Sequence, residues 1–377
     1  MKTEWAHKKL IDLADYYNGM AFKPSDWVES GTKIIRIEQL NNPLGNYDYY
    51  QGSYPEINAI HNEDLIFSWS ATLKVAIWKW GEGVLNQHLF KVVPFENVDK
   101  YFLYYLLDYN MPKLGESSHG STMKHIKRKE LETYSVKIPT TLSAQRRIAA
   151  ILSSADKVID STRRLIEKYK KMKQGMMEDL LKPKDGWKMV RLGEVCEPSS
   201  EKYNPLTENT FQYCIEMENI NQESGTINGK SDITKLLSLK TKFHKGEVLY
   251  GKLRPYLKKY WLADFDGACS TEIWVLKNSE NIDNQFLFYL FQSDCINRIA
   301  NQSSGTKMPR ADWNFMEKQT VSIPFKNDKP DLPEQRRIAA ILSGIDAKIA
   351  AEEKVLEKYG KVKKGLMERM LEENKEK

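Results

Sequence analysis

Residues 145–153 read QRRIAAILS, and the same nine letters return at residues 335–343. The copies are 190 positions apart, and at that offset residues 143–181 match residues 333–371 without a gap, with about half of the positions identical. Gapless similarity over this length indicates one structural unit that the chain uses twice. We therefore expect the fold to be organised around this duplicated segment.

Both copies have the periodicity and composition of long helices. Apolar positions recur in steps of four and three, and the resulting seam is interrupted at Thr162, Lys173, Glu352 and Lys363. Alanine, glutamate, lysine, leucine and methionine are frequent in both segments and favour helix. Each helix would be roughly 58 Å long at 1.5 Å per residue. A helix of this kind does not bury its apolar stripe alone, so each copy needs a partner.

The sequence favours the other copy as that partner, in an antiparallel intramolecular coiled coil, because the intervening chain is long enough to reverse direction. Two separate surface helices are the alternative. A membrane-surface helix is disfavoured because Asp156, Glu167 and Glu178 interleave with the lysines. The predicted coiled-coil and partner-binding residues are Gln145, Arg146, Arg147, Ile148, Ile151, Leu152, Ile159, Ile166, Gln335, Arg336, Arg337, Ile338, Ile341, Leu342, Ile349 and Leu356.

A fainter repeat precedes each helix. WAHKKL (5–10) resembles WKMVRL (187–192), and YSVKIP (134–139) resembles TVSIP (320–324). Short apolar or alternating runs divided by Gly, Asn and Pro predict strands, whereas FLYYLLD (102–108) and QFLFYLFQSDCINRIA (285–300) predict short buried helices.

These patterns predict a mixed α+β fold, in which two α/β domains are separated by the two long helices. The repeat further predicts a pseudo-two-fold, circularly permutable body whose ends, near residues 1 and 375, lie close together. The predicted boundaries are 1–142 for the first domain, 143–183 for the first helix, 184–332 for the second domain and 333–377 for the second helix.

Composition sets broad limits on function. The net charge of +6 is mildly basic and compatible with nucleic acid. The four cysteines form no C-x-x-C pair, so neither a disulfide framework nor a zinc ribbon is indicated. The sequence shows neither a signal peptide nor a run long enough to span a membrane. We expect a soluble cytoplasmic protein.

Catalytic motifs are absent from the sequence. GTINGKS (225–231) is one residue too short for a phosphate-binding loop, and GESSHGS (115–121) lacks its lysine. There is no G-x-G-x-x-G, no G-x-S-x-G and no paired-histidine metal motif. We therefore predict a protein without catalytic or metal-ligating residues and without a cofactor of its own.

Polar loops at equivalent places in both domains are instead candidates for DNA contact. In the match between the domains, Trp69, Ser70 and Lys74 correspond to Lys252, Arg254 and Lys258, and Gln87 and His88 correspond to Thr271 and Glu272. Amides bind adenine edges, arginine binds guanine, glutamate accepts from cytosine, and lysines and small hydroxyls bind phosphate. Solvated loops with no ligand are the alternative interpretation. The candidates are Asn41, Asn42, Trp69, Ser70, Lys74, Gln87, His88, Gly120, Ser121, Thr122 and Lys124 in the first domain, and Asn221, Gln222, Lys252, Arg254, Lys258, Thr271, Glu272, Gly305, Thr306, Lys307 and Arg310 in the second.

The whole pattern resembles the specificity subunits of type I restriction–modification systems. The resemblance rests on the doubled QRRIAAILS junction, on the W-x-x-x-x-L domain starts at Trp5 and Trp187, and on glycine- and methionine-containing loops at 120–123 and 305–308. It covers essentially the whole chain. The second junction differs by a longer loop after Pro324.

This resemblance implies a subunit without catalytic activity that binds double-stranded DNA. Each domain would read one half of a bipartite, asymmetric target. The helices would set the unread gap and bind two methyltransferase subunits, which bring S-adenosylmethionine, and translocase–nuclease restriction subunits would join the complex. A stand-alone scaffold or DNA-binding regulator is the alternative.

Overall fold

A computed structural model describes residues 4–116, 126, 128–302 and 308–372. The chain forms two compact units. The first comprises residues 1–163 and 354–377, and the second comprises residues 164–353. Each long helix therefore contributes one half to each unit. The chain ends that were predicted to lie together, near residues 1 and 375, fall outside the described residues.

In the first unit, ten strands and three helices lie within the described residues before the first long helix. The strands are β1 (Trp5–Lys9), β2 (Ala14–Asn18), β3 (Thr32–Ile35), β4 (Tyr49–Tyr50), β5 (Ala59–Ile60), β6 (Leu65–Ser68), β7 (Lys74–Ile77), β8 (Gly83–Leu85), β9 (Leu89–Pro94) and β10 (Ser135–Pro139). The helices are α1 (Ile37–Asn41), α2 (Lys100–Glu116) and α3 (Arg128–Thr133), and the first long helix, α4 (Leu142–Leu180), starts here.

These strands form three sheets. One sheet has the order β2-β9-β6-β7 and is antiparallel, and another has the order β4-β3-β8-β5 with β3 and β8 parallel. The third pairs β1 with β10, so that Trp5 lies opposite Pro139 immediately before α4. The beginning of the unit is thereby tied to the start of the long helix.

The described residues of the second unit form twelve strands. They are β11 (Trp187–Arg191), β12 (Cys196–Pro198), β13 (Lys202–Tyr203), β14 (Tyr213–Ile215), β15 (Ser231–Asp232), β16 (Lys240–Phe243), β17 (Val248–Gly251), β18 (Tyr260–Leu262), β19 (Gly267–Cys269), β20 (Ile273–Asn278), β21 (Thr320–Lys326) and β22 (Lys329–Pro330). Its helices are α5 (Leu192–Val195), α6 (Asn284–Gln292), α7 (Asp294–Gln302) and α8 (Trp313–Met316), and the second long helix, α9 (Leu332–Leu371), starts here.

The sheets of the second unit repeat those of the first. The order β12-β20-β17-β18 corresponds to β2-β9-β6-β7, and β15-β14-β19-β16 corresponds to β4-β3-β8-β5, again with one parallel pair. Two strands are additions to this topology: β13 extends the latter sheet beside β16, and β22 pairs with β21. β11 pairs with β21, so that Trp187 lies opposite Pro324 as Trp5 lies opposite Pro139. The faint repeat in the sequence therefore corresponds to one topology built twice.

A fully buried strand lies between two cores in each unit. In β6, Leu65 and Phe67 pack in the core that contains α2, whereas Ile66 packs with Trp78 on the opposite face. Alternate residues of a strand point to opposite faces, so a strand covered on both sides is apolar throughout. β17 has the same division, with Val248 and Tyr250 in one core and Leu249 in another.

The mixed fold predicted from the sequence is confirmed, with one correction in detail. The segment 102–108 lies in α2, as predicted. The segment 285–300 is divided into α6 and α7, because Ser293 is extended, with φ −67° and ψ 153°.

The two predicted long helices are confirmed as α4 and α9, with 39 and 40 residues. Leu152, Ile159 and Ile166 of α4 and Ile338 and Leu342 of α9 are buried, as the predicted seam requires. The remaining apolar seam residues, Ile148, Ile151, Ile341, Ile349 and Leu356, are half-buried. The coiled-coil geometry of the helices stays a prediction.

Lys173 and Lys363, which interrupt the apolar seam in the sequence, make polar contacts between the two helices. In the second unit, Lys173 Nζ lies 2.7 Å from Asp346 Oδ1 of α9 and also donates to Gln292 Oε1 of α6. The hydroxyl of Tyr289 donates to Asp346 Oδ2 at 2.8 Å. Burial and the Asp346 carboxylate raise the pKa of Tyr289, which keeps the hydroxyl protonated as a donor.

The first unit contains the same contact with the helices exchanged. Lys363 Nζ of α9 lies 2.7 Å from Asp156 Oδ1 of α4, and Tyr105 donates to Asp156 Oδ2 at 2.6 Å. Asp156 and Asp346, like Lys173 and Lys363, are 190 positions apart. A partly buried charge that pairs at only one register specifies how two helices align. Each unit therefore carries its own Lys–Asp–Tyr contact between antiparallel helix segments.

Replacing Lys173 by Met removes the ammonium but keeps the hydrocarbon stem. We expect the free energy of unfolding to fall by about 2–3 kcal/mol, because Asp346 would keep a half-buried charge without its partner. Lys170→Met is the matched control on the same helix. Lys170 is half exposed and 3.9 Å from Glu353, so its loss should cost no more than about 0.5 kcal/mol. Equal effects of the two variants in urea unfolding would contradict this role of Lys173.

Candidate nucleic-acid interface and helix junctions

The repeated QRR triplet joins each unit to its long helix. Gln145 is 1% exposed, and its Oε1 accepts from the Asp99 backbone N–H at 2.8 Å. Its Nε2 donates to the Asn97 carbonyl at 3.2 Å and to the Pro139 carbonyl at 2.9 Å. The guanidinium of Arg146 pairs with the Asp99 carboxylate. These contacts hold the start of α2 against the start of α4.

The second junction has the same contacts. Gln335 is fully buried and binds the Asp283 N–H at 2.8 Å and the Asn281 carbonyl at 3.1 Å, while Arg336 pairs with Asp283. Both glutamines are enclosed within their own units, so they fix the angle of the helix from inside. Arg147 and Arg337 are exposed, and partner contact stays a prediction for them.

The DNA-contact candidates cluster around the turn that follows β6 or β17. In the first unit, the Trp69 N–H donates to the His88 carbonyl at 3.4 Å, and the Ile126 N–H donates to the Trp69 carbonyl at 2.8 Å. In the second, the Lys252 backbone N–H donates to the Glu272 carbonyl at 3.0 Å, and the Ala311 N–H donates to the Lys252 carbonyl at 2.9 Å. We call this backbone arrangement the platform; it comprises residues 69, 88 and 126 in the first unit and residues 252, 272 and 311 in the second. It presents Trp69 and His88 in one unit and Lys252 and Glu272 in the other, as the sequence match predicted.

The side chains on the first platform are aromatic. The rings of Trp69 and His88 are 5.5 Å apart, and Trp69 also contacts Phe90. Gln87 and His88 are exposed, whereas Ser70 is only 5% exposed. The structure thus places Gln87 and His88 at the surface and encloses the Ser70 side chain.

The side chains on the second platform are charged. Arg310 and Glu272 form two hydrogen bonds, Nε to Oε2 at 2.9 Å and Nη2 to Oε1 at 3.2 Å. Arg254 is exposed beside them in the left-handed region, with φ 50°, and its N–H donates to the Pro309 carbonyl at 2.7 Å. Thr271, which precedes Glu272 between β19 and β20, is also exposed. The sequence predicted these residues as individual candidates for DNA contact, but it did not predict the hydrogen bonds between Glu272 and Arg310.

The sequence match of Lys74 with Lys258 is wrong by one residue. Lys74 Nζ donates to the Leu40 carbonyl at 2.5 Å, and the lysine with the equivalent contact is Lys259, which donates to the Met217 carbonyl at 2.6 Å. Lys258 instead lies 3.6 Å from both Glu223 and Asp294. The turn is two residues longer in the second unit, between β17 and Lys259, whereas the match of Lys74 with Lys258 allows for only one additional residue.

The amide candidates lie beside this hairpin. Asn41 ends α1 and its Oδ1 accepts from Lys74 Nζ at 3.4 Å, while Asn42 follows it at the surface. Gln222 pairs with Lys259 in a backbone bridge, and Asn221 Nδ2 donates to Thr226 Oγ1. Seven other candidates lie outside the described residues: Gly120, Ser121, Thr122, Lys124, Gly305, Thr306 and Lys307.

Three cysteines are inside the second unit. Burial raises the pKa of Cys196 and Cys269, and burial together with Glu216 raises that of Cys214 to about 12. A thiol in this state is a weak nucleophile, because the thiolate is the reactive form. Within the described ranges, no group of three or more His, Cys, Asp or Glu side chains is arranged to hold a metal ion. None of the described helices is long and apolar enough to cross a membrane.

Comparison with known proteins places these features in a family. The family model described as type I restriction modification DNA specificity domain matches residues 2–171 and 184–358. The chain is 26% identical over 404 residues to the type I restriction enzyme MjaVIII specificity subunit of Methanocaldococcus jannaschii, a match that covers 98% of this chain and 92% of that protein. It is also 26% identical over 370 residues to the type I restriction enzyme EcoDI specificity subunit of Escherichia coli, with 84% and 80% covered.

Solved structures share the fold. The S subunit of a type I restriction-modification system from M. genitalium has a TM-score of 0.63 at 14% identity, with 99% of this chain and 97% of that chain covered. A chain from a structure of a type I R-M system, described in terms of complex assembly and conformational transition, has a TM-score of 0.57 at 14% identity, with 98% and 99% covered. At this identity the likeness establishes the architecture.

The corrected lysine register has a measurable consequence. Lys259→Met should lower the free energy of unfolding by about 1–2 kcal/mol, because the Met217 carbonyl loses a charged donor. Lys258→Met is the neighbouring control and should change it by less than about 0.5 kcal/mol, since its ion pairs are long and partly solvated. Both effects are measured by urea denaturation. A larger effect at position 258 than at position 259 would support Lys258, and not Lys259, as the residue equivalent to Lys74.

Proposed function

Because the chain belongs to the type I restriction–modification DNA specificity family, we propose that it reads a bipartite, asymmetric DNA target, with one half-site for each unit. The observation that carries this proposal is that the same backbone platform occurs in both units and carries different side chains. Trp69 and His88 occupy in the first unit the positions that Lys252 and Glu272 occupy in the second. One scaffold with two sets of side chains suits two different base sequences.

The side chains at each platform suit contact with nucleic acid. In the second unit, Lys252, Arg254 and Arg310 place three cations around one turn, and cations attract phosphates and bind base edges. In the first unit, Trp69 and His88 offer an apolar face with a polar rim, together with the amide of Gln87. Contact with thymine methyl groups or adenine edges fits that chemistry. The two half-sites therefore differ in sequence.

The helices serve a different purpose from the platforms. Their junctions are identical in nine letters and in their buried contacts, whereas the platforms differ in side chains. Near-identity in two places suits two copies of the same partner. We assign these partners as two methyltransferase subunits, which supply S-adenosylmethionine and the catalytic groups, with restriction subunits added to the same complex. In this assignment the chain itself has no catalytic residue and holds no cofactor.

The helices also set the distance between the half-sites. Each long helix is rigid, and at 1.5 Å per residue its length is roughly 58 Å, more than one turn of B-DNA. The Lys–Asp–Tyr contacts hold α4 and α9 at one register within each unit. The number of helical residues between those contacts then determines the number of base pairs that are left unread.

The proposal is tested by co-expressing the chain with its cognate methyltransferase subunit and mapping methylated adenines across a bacterial genome. Exchanging residues 184–332 for the corresponding segment of another family member should change one half-site and leave the other half-site and the gap unchanged. The unchanged half-site is the internal control. A change in both halves would contradict independent reading, and methylation without a defined sequence would contradict the proposed function.

A further inference from the structure

The pairing of Arg310 with Glu272 uses one particular edge of the guanidinium group. Glu272 accepts from Nε through Oε2 and from Nη2 through Oε1, at 2.9 and 3.2 Å. This side-on geometry engages one of the two Nη2 hydrogens. The opposite edge, formed by Nη1 and the second Nη2 hydrogen, points away from the carboxylate because the group is planar.

That opposite edge has the geometry that recognises guanine. Arginine donates two parallel hydrogen bonds from its terminal nitrogens to guanine O6 and N7 in the major groove. An arginine held side-on by a carboxylate presents this edge in a fixed plane. It also loses less side-chain freedom on binding than a mobile arginine does. Glu272 would thus increase the selectivity of Arg310 without touching the base.

The backbone on both sides of Arg310 is fixed as well. The Arg254 N–H donates to the Pro309 carbonyl at 2.7 Å, and the Ala311 N–H donates to the Lys252 carbonyl at 2.9 Å. Leu253 and Arg310 form an antiparallel bridge between these two bonds. The platform therefore positions Cα of Arg310, and Glu272 positions its guanidinium.

The pair is placed where a ligand can reach it. The Arg310 side chain is 49% exposed and that of Glu272 is 30% exposed. Lys252 and Arg254 adjoin them on the same platform, so the surroundings favour an anionic partner such as a DNA backbone. The Glu272 carboxylate is already engaged by Arg310, which argues against its use as a direct acceptor for cytosine.

We propose that Arg310 is a specificity-determining residue that reads a guanine in the second half-site, and that Glu272 is the positioning residue that fixes its orientation. This assignment rests on the proposed function. It replaces the expectation that Glu272 contacts cytosine directly. It also predicts that the half-site read by residues 184–332 contains at least one guanine whose recognition depends on both residues.

The test uses the purified complex of the full chain with its methyltransferase subunit. Duplexes that carry the methylation-mapped target, randomised over the second half-site, are selected by binding and sequenced. Arg310→Lys should lower the preference for guanine at one base pair by roughly 5- to 150-fold, because an ammonium cannot make the bidentate contact. Glu272→Gln should weaken the preference at the same base pair by a smaller factor. Preferences in the first half-site should stay unchanged in both variants.

Arg298→Lys is the matched control, since Arg298 is an exposed arginine of α7 outside the platform. Thermal unfolding of each complex verifies that the variants are folded. If Arg310→Lys leaves every guanine preference intact while Glu272→Gln removes one, Glu272 reads the base pair itself and the assignment is overturned. Unchanged preferences in both variants also overturn it. A wild-type complex that selects no sequence would instead overturn the proposed function.

Discussion

The buried lysine–aspartate contact between the two long helices is the constraint on which the arrangement of each unit depends. A half-buried ammonium must meet a carboxylate, and Lys173 meets Asp346 in the second unit as Lys363 meets Asp156 in the first. Tyr289 and Tyr105 bind the same carboxylates from the globular part. One contact therefore joins both helices and the adjoining core, so the helix register and the position of the sheet are fixed together.

Within each unit, the contacts that are the same in both units lie apart from the side chains that differ between the units. The junction glutamines, the tyrosines and the lysine–aspartate pairs use the same atoms in both units, whereas the platforms after β6 and β17 keep only their backbone hydrogen bonds. Side chains on such a platform are free to differ because the backbone bonds do not depend on them. The first platform carries an aromatic pair and the second carries Arg310 with Glu272. This division fits the proposed function, in which the same partner binds twice and two different sequences are read.

The sequence predicts what is local or repeated. Heptad spacing and the 190-residue offset were sufficient for α4 and α9, and the repeat was sufficient for two similar units. Contacts between distant segments were beyond reach: Lys173 and Lys363 read as defects in a seam, because a single helix does not reveal the aspartate opposite. The available signal was that Lys173 and Lys363 are 190 positions apart, as are Asp156 and Asp346. The sequence match makes the turn before Lys259 one residue too short, because the adjacent Lys258 and Lys259 match Lys74 equally well in sequence. Glu272 and Arg310 are 38 positions apart, and only the folded platform brings them together.

We propose that the helices determine the spacing between two independently read half-sites. The most direct measurement inserts four residues between Arg163 and Arg164 and four between Glu353 and Lys354, at the division between the units, so that each lysine–aspartate pair stays within its own unit. Methylated adenines are then mapped in cells that also express the methyltransferase subunit. We predict unchanged half-sites and an unread gap that is longer by about one to two base pairs, since four helical residues add about 6 Å. An unchanged gap with both half-sites intact would contradict the account.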